Sequence, residues 1–472
     1  MDVHGFLVDA IRTVDQTVIW YFLGLNSCYA ILIALAIPEM FKQWIEANNE
    51  DLERHMRSDA LPPISVLMPA YNMEPNIVES VRAQLTLRYP HHEVIVVNDG
   101  SKDDTFQAMM DEFDLYEVPP AIPRRLRTAE VRGYYRSRSA PGMLVIDKAN
   151  GGKADALNAG LCAARYPLVV CADADTMIAE DALLRLARPF LLGDPVVATG
   201  GTIRIANGCG IEHARVRTPR MPRSWLAAIQ VPEYLRAFLF GRVGWNRLGG
   251  NLIVSGAFGL FRRETLIDIG GYHTGSVVED LDLIVRLHEH MREIGEPYSI
   301  PLIPDPVAWT EAPPDMPTLS RQRERWHRGL VSTMYTHRKT FLRPKYGPIA
   351  FIHLPFFLLG EMIAPIVELI GYIFTVIGIA IGAISWAFAG IFFAAALGYG
   401  VLLTLWAIVL EQATFRFYRQ PGDFARLIGY AFLEPFGYRQ LTVLWRLKSF
   451  KNAWQGKESW GEMKRYGFES SG

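Results

Sequence analysis

Apolar and polar positions divide this chain into three regimes. The first is a charge-free run over residues 17–38 (TVIWYFLGLNSCYAILIALAIP). At about 1.5 Å per residue in a helix it spans roughly 33 Å, enough to cross the hydrocarbon core of a bilayer. The second is the tract 349–410, which has no Lys or Arg and whose only acids are Glu361 and Glu368. It has room for two spans, or three tight ones. Between these tracts, short apolar runs at 64–68, 93–97, 143–147 and 168–172 alternate with helix-like text at 75–88 and 154–164. Apolar runs of that length separated by helices predict a mostly parallel sheet covered on both faces.

Flanking charges orient the apolar segments. The N-terminus carries Asp2, Asp9 and Asp15 against Arg12 and lacks the basic start of a signal peptide, so an uncleaved helix with its N-terminus outside is expected. Residues 411–426 and 446–465 are enriched in Arg and Lys and read as cytoplasmic. The expected layout is an extracytoplasmic N-terminus (1–16), a transmembrane helix (17–41), a linker (42–61) and a cytoplasmic α/β domain (62–330). An interfacial segment (331–348) and the transmembrane tract (349–411) follow. A cytoplasmic loop (412–426) then leads to 427–447, which is apolar but broken by Glu434, Pro435 and Arg439. That segment reads as interfacial, re-entrant or an additional span, and 448–472 as a basic cytoplasmic tail. Residues 118–140, with six Arg and three Pro, read as a surface insertion.

Composition narrows the function classes. Lys plus Arg total 48 against 49 Asp plus Glu, so no basic surplus exists for bulk phosphate neutralisation on nucleic acid. Half the residues are hydrophobic, which excludes disorder as the main state. The four cysteines show no CxxC spacing and read as buried free thiols.

Five polar clusters punctuate the α/β region, several at the carboxyl ends of strands, where such sheets bind ligands. Asp173-Ala174-Asp175 can share a divalent cation, although alone it is also a solvated turn. Asn98-Asp99-Gly100-Ser101 can meet a nucleobase or ribose, and is equally turn chemistry. Asn150-Gly151-Gly152-Lys153 permits close backbone approach and offers a mobile cation. Glu279-Asp280, with Asp282, opens a helix; the acids complement the helix dipole, or one is a general base. Gln322 and Trp326 share a helix face beside Arg325.

Taken in order with Pro69-Ala70-Tyr71-Asn72, these clusters resemble the processive membrane glycosyltransferases of family 2, the cellulose, hyaluronan, chitin-oligosaccharide and poly-N-acetylglucosamine synthases. Gln230–Gly241 and Ser255–Arg262 are similar to a bacterial branch. The resemblance implies an α/β GT-A domain embedded between transmembrane helices. It implies inverting transfer from a UDP-sugar, of the UDP-N-acetylglucosamine or UDP-glucose class, to build and secrete a β-linked polysaccharide. By position, Asp280 is implied as the base and Glu279 as its neighbour. Tyr71, Asp99, Lys153, Asp173, Gln322 and Arg325 are implied for the donor. Trp326, Glu233 and Tyr234 are implied for the acceptor, and Asp175 with Asp173 for Mg²⁺ or Mn²⁺. Val278 stands where the family often has Thr. The implied partners are the UDP-sugar, a growing glycan or lipid acceptor, membrane lipid, and a second copy or accessory secretion proteins; no nucleic acid is implied. The implied location is a bacterial inner membrane with a cytoplasmic catalytic domain. The competing readings are a non-processive enzyme that glycosylates a lipid, and a transporter or signalling protein with a regulatory nucleotide fold.

Overall fold

The computed structural model describes residues 3–49, 61–119, 122–123, 125–191, 193 and 195–455. Part of the expected linker (50–60) and most of the expected tail (456–472) lie outside the described residues.

A ten-stranded sheet forms the centre. Its strands are β1 (Ile64–Ala70), β2 (His92–Asp99), β3 (Leu115–Val118), β4 (Val131–Ser137), β5 (Met143–Lys148), β6 (Leu168–Ala172), β7 (Met177–Ile178), β8 (Ala198–Ile205), β11 (Phe258–Arg262) and β12 (Leu302–Thr310). A separate two-stranded ribbon comprises β9 (Gly210–Glu212) and β10 (Arg215–Thr218). The order in the sheet is β3-β4-β5-β2-β1-β6-β11-β8-β12-β7. The central β5, β2, β1 and β6 run parallel, while β11 and the outer β3, β4 and β7 pair antiparallel.

The parallel strands are covered on both faces, so their sequences are continuous apolar runs. Ile64, Val66 and Met68 of β1 join one core, packed with the Ile77–Leu85 and Ala182–Leu191 helices. Leu67, with Ile95 and Val97 of β2, joins the other, packed with the Lys153–Ala163 and Glu279–Ile294 helices. Within the segment expected as an insertion, residues 131–137 form β4. Gly133, Tyr134 and Tyr135 pair with β5, so this basic stretch is an integral strand. Tyr134 joins the core on one face of the sheet and Tyr135 packs against the core on the other.

The N-terminal helix runs unbroken from Val3 to Asn49, so the expected boundaries at 17 and 41 fall inside one element. Among the described residues, Gly5–Lys42 and Ile349–Ala380 are helical stretches long and apolar enough to cross a membrane; Tyr399–Thr414 is a shorter apolar helix. The expected loop 412–426 is confined to six residues, because the Tyr399–Thr414 helix is followed by the Pro421–Leu433 helix. Segment 427–447 contains a helical corner. Pro421–Leu433 gives way to Tyr438–Trp454 at Gly437, whose φ of +78° favours glycine. Cys162, Cys171 and Cys209 are buried free thiols, whereas Cys28 is exposed on the N-terminal helix.

A third core joins the helical part to the sheet domain. Ile33, Ala36 and Met40 of the N-terminal helix meet Val231, Leu235 and Val243, together with Leu403 and Ala407 of the Tyr399–Thr414 helix. One close approach is at Gly244, where a Cβ would stand 2.2 Å from the Leu32 carbonyl oxygen.

Candidate active site

The twelve residues singled out from the sequence, Tyr71, Asp99, Lys153, Asp173, Asp175, Glu233, Tyr234, Glu279, Asp280, Gln322, Arg325 and Trp326, all line one cavity of about 1310 Å³. Its floor is made by strand ends. Tyr71 follows β1 and is exposed to the cavity mouth. Asn72, at φ +51°, turns the chain there; its N–H donates to Ser101 Oγ (3.1 Å), and its Oδ1 accepts from the Lys102 N–H (2.8 Å). The loops after β1 and β2 are thereby tied together.

Asp99, the last residue of β2, is buried and fully engaged. Its carboxylate pairs with the Lys148 ammonium and accepts the Gly151 and Gly152 N–H groups at 3.0 and 2.7 Å. The side chain therefore shapes the glycine loop. Gly152, at φ +87°, leads into the helix that begins at Lys153. Lys148, at the end of β5, also pairs with Asp155 at 2.7 Å.

The Lys153 ammonium joins three segments: Asp173 Oδ1 at 2.7 Å, Glu279 Oε1 at 3.0 Å and the Gly256 carbonyl at 3.2 Å. Burial alone would lower its pKa, but the two carboxylates hold it well above its usual value. Asp280 holds the same glycine; its Oδ2 accepts the Gly256 N–H at 3.0 Å and its Oδ1 the Leu281 N–H at 2.8 Å. A Cβ at Gly256 would lie 3.3 Å from both Asp280 and the Lys153 nitrogen, so a glycine suits the tight joint. Burial, with Glu279 beside it, raises the Asp280 carboxyl above the ordinary range. Such a carboxylate is better matched to accepting a proton.

Asp173 follows β6, two residues before Asp175. Burial pushes its carboxyl up to about 6; Asp175 repels its charge, while Lys153 favours it. Among the described residues no cluster of three or more His, Cys, Asp or Glu is gathered to hold a metal. Two carboxylates in one negative corner still fit a cation that takes most of its ligands from water and substrate phosphate. The donor set is oxygen, which suits Mg²⁺ or Mn²⁺.

The roof is the Met316–Thr336 helix, capped by Asp315, whose side chain accepts the Thr318 N–H at 2.9 Å. Gln322, Arg325 and Trp326 are half-buried against the cavity. Arg323, which also lines the cavity, bonds Glu233 at 2.8 Å with its guanidinium 4.8 Å from the Trp326 ring centroid. Tyr438 donates its hydroxyl to the same Glu233 oxygen at 2.8 Å. Tyr234, next to Glu233, is buried in the same wall.

Several lining residues carry no sequence signal. Arg242 is one position beyond the Gln230–Gly241 motif; burial depresses its guanidinium to about 10, opposed by the charge of Asp280. Beyond Trp326 the cavity continues among the apolar helices, reaching Tyr29, Glu361, Glu368, Gly400 and Arg439. Each of these acids has an arginine, Glu368 with Arg439 at 2.8 Å and Glu361 with Arg446 at 3.2 Å; Glu434 pairs with Arg236 at 2.8 Å. Glu434 and Arg439 interrupt the apolar text of 427–447 because they point into this cavity. Partners far apart in sequence leave no local pattern.

Two family models match the chain, "Glycosyl transferase family 2" over residues 65–270 and "Glycosyl transferase family group 2" over residues 168–407. A poly-beta-1,6-N-acetyl-D-glucosamine synthase of Staphylococcus epidermidis is 29% identical over 266 residues, 56% of this chain and 54% of that protein. A protein of the same name from Staphylococcus aureus (strain COL) is 28% identical over 295 residues, 61% of this chain and 60% of that one. The matched region thus spans little more than half the length of these relatives. Among solved structures, a mannosyltransferase from Pyrobaculum calidifontis in complex with GDP-Man and Mn²⁺ is 21% identical. It covers 86% of this chain and 99% of that chain at a TM-score of 0.47. Glucosyl-3-phosphoglycerate synthase from Mycobacterium tuberculosis is 19% identical, covering 61% and 84% at 0.36. With strand-end polar loops, a central parallel sheet and a family match over half its length, the chain has the GT-A fold and belongs to glycosyl transferase family group 2.

Proposed function

We propose that this protein is an inverting glycosyltransferase of the membrane. On this reading it takes a sugar from a UDP-sugar, of the UDP-N-acetylglucosamine or UDP-glucose class. It adds that sugar to a growing β-linked polysaccharide and passes the product across the bilayer. The carrying observation is the single cavity that runs from Asp173 and Asp280 past Trp326 to Glu361 and Glu368 among the apolar helices. A site for one transfer onto a small acceptor has no need of that extension. The catalytic domain lies on the cytoplasmic side, where sugar nucleotides are made, and the membrane is a bacterial inner membrane.

In this mechanism Tyr71 packs on the uracil, and Asp99 acts on it through the glycine loop that its carboxylate fixes. Lys153, Gln322 and Arg325 face the diphosphate. Trp326 stacks on the acceptor sugar, and Glu233 and Tyr234 form the wall behind it. Asp280 accepts the proton of the acceptor hydroxyl as that oxygen attacks the anomeric carbon and the bond to the diphosphate breaks. Glu279 holds Lys153 in place and keeps the Asp280 carboxyl basic. Asp173 and Asp175 would hold a divalent metal, which would supply charge neutralisation to the departing diphosphate.

The test is UDP release by the purified protein in nanodiscs, with UDP-N-acetylglucosamine or UDP-glucose and Mg²⁺ or Mn²⁺. Asp280→Asn is expected to lower turnover by about 10²- to 10⁴-fold while UDP binding persists. Chelation is expected to abolish turnover. An unchanged rate in Asp280→Asn rejects the mechanism, and a product of one sugar on lipid, without a ladder of longer chains, rejects polymer synthesis.

A further inference from the structure

We infer that His337 is a positioning residue of the transfer site: it fastens the Glu279–Ile294 helix, which carries the base in its first turn, to the Met316–Thr336 helix, which carries Gln322, Arg325 and Trp326. The inference rests on the roles given to Asp280 and Arg325 above. His337 caps the carboxyl end of the Met316–Thr336 helix and is buried. Its Nε2 lies 3.2 Å from Asp282 Oδ1, and its Nδ1 lies 2.9 and 3.0 Å from the two oxygens of Glu289. Asp282 and Glu289 are two turns apart, so they share one face of the opposing helix. A neutral imidazole has a single N–H; donating to a carboxylate from each nitrogen requires the imidazolium.

The surroundings complete the charge pattern. Arg286 holds the other Asp282 oxygen at 2.9 Å and donates to the Ile269 and Gly271 carbonyls, anchoring the helix to the sheet domain. His273 Nδ1 stands 3.8 Å from Asp282 Oδ2, and Thr340 donates its hydroxyl to Glu289. The facing groups are therefore Asp282, Arg286 and Glu289 from one helix, His273 from the loop before it, and Thr340 from the segment after His337. The two helices also meet at a second point. A Cβ on Gly329 would fall 1.8 Å from Val278 Cγ2, so Val278 seats directly in the space that glycine leaves. Asp280 lies between these fastenings, one residue past the helix start. Displacements of about 1 Å at a reacting group cost up to about 100-fold in rate.

Burial disfavours the imidazolium, but Asp282 and Glu289 outweigh it and push the His337 pKa up to about 9. Raised groups of this kind stabilise below the unfolded value, and the contribution is lost as pH rises through the folded one. The fastening is thus intact at neutral pH and released above about pH 9. The experiment compares wild type, His337→Gln and His337→Lys. In His337→Gln, kcat for UDP release is expected to fall about 10- to 100-fold with donor KM within about threefold. The alkaline fall near pH 9 disappears. In His337→Lys, which restores the cation, activity recovers and the alkaline fall moves to higher pH. Spin labels at Ile294 and Tyr335, both exposed, in a Cys28→Ser background report the helix separation without any turnover. Their distance distribution is expected to broaden above pH 9 in wild type and to be broad at pH 7.5 in His337→Gln. If no UDP-sugar is consumed, the proposed function fails while the label distances still decide this inference. It is overturned if the distances ignore both pH and substitution, or if an active His337→Gln loses only thermal stability and keeps the wild-type alkaline limb.

Discussion

Lys148→Met tests how the donor side of the site is held. The Lys148 side chain has no exposed surface, and its ammonium contacts Asp99, Asp155 and the Ala149 carbonyl at 2.6 Å. Removing the cation leaves two buried carboxylates within about 5 Å of one another. At an effective dielectric of about 20, their repulsion is about 3 kcal/mol. Breaking a buried charge pair from one side typically costs about 3–5 kcal/mol. Asp99 would retain the N–H groups of Gly151 and Gly152, and Asp155 that of Ala129, which places the cost within that range. For a domain of this size each kcal/mol lowers the melting midpoint by about 2–4 °C, so a fall of about 6–20 °C is expected. The assay is thermal melting in detergent, with UDP affinity measured on the same preparations. Lys148→Met/Asp155→Asn removes one surplus charge and should recover at least half of the loss. A fall under about 2 °C in the single variant would show that Lys148 does not hold the two carboxylates together. So would a double variant no more stable than Lys148→Met.

Two further outcomes follow from the packing and the charges. Gly244→Ala drives a methyl group into the Leu32 carbonyl and should destabilise the protein by about 1–3 kcal/mol, lowering the melting midpoint; no change would mean that the two helices are not so closely apposed. Because Asp280 acts as a base only when ionised and its carboxyl is raised, the acid limb of the rate–pH profile should lie above the usual aspartate value. Glu279→Gln removes a like charge and should shift that limb to lower pH; a limb that stays in place would assign it to another group.

The motifs were legible because strand-end chemistry is local. Asp99, Lys153 and Asp173 each stand within a few residues of an apolar run, and parallel strands deliver their carboxyl ends to the same edge. Segment 118–140 was harder. Its arginines and prolines suggest a surface excursion, yet Gly133–Tyr135 pair with β5, because Tyr134 and Tyr135 give the strand an apolar contact on each face of the sheet. The break at Glu434, Pro435 and Arg439 was visible, but its meaning was not. Those charges point inward to Arg236 and Glu368, partners separated by 198 and 71 positions.

Residue order alone sets the alternation of strands and helices, the apolar segments and the identity of the strand-end side chains. Each depends on residue order over a short window. Folding in three dimensions is what lets Lys153 bridge Asp173 and Glu279 and Val278 fill the space left by Gly329. It also placed Arg242 beside the base and fastened His337 across two helices. These relations arise when segments remote in the chain are brought together by burial of the sheet and the helices. Burial then supplies the low-dielectric surroundings in which one ammonium or imidazolium controls the charge of its neighbours.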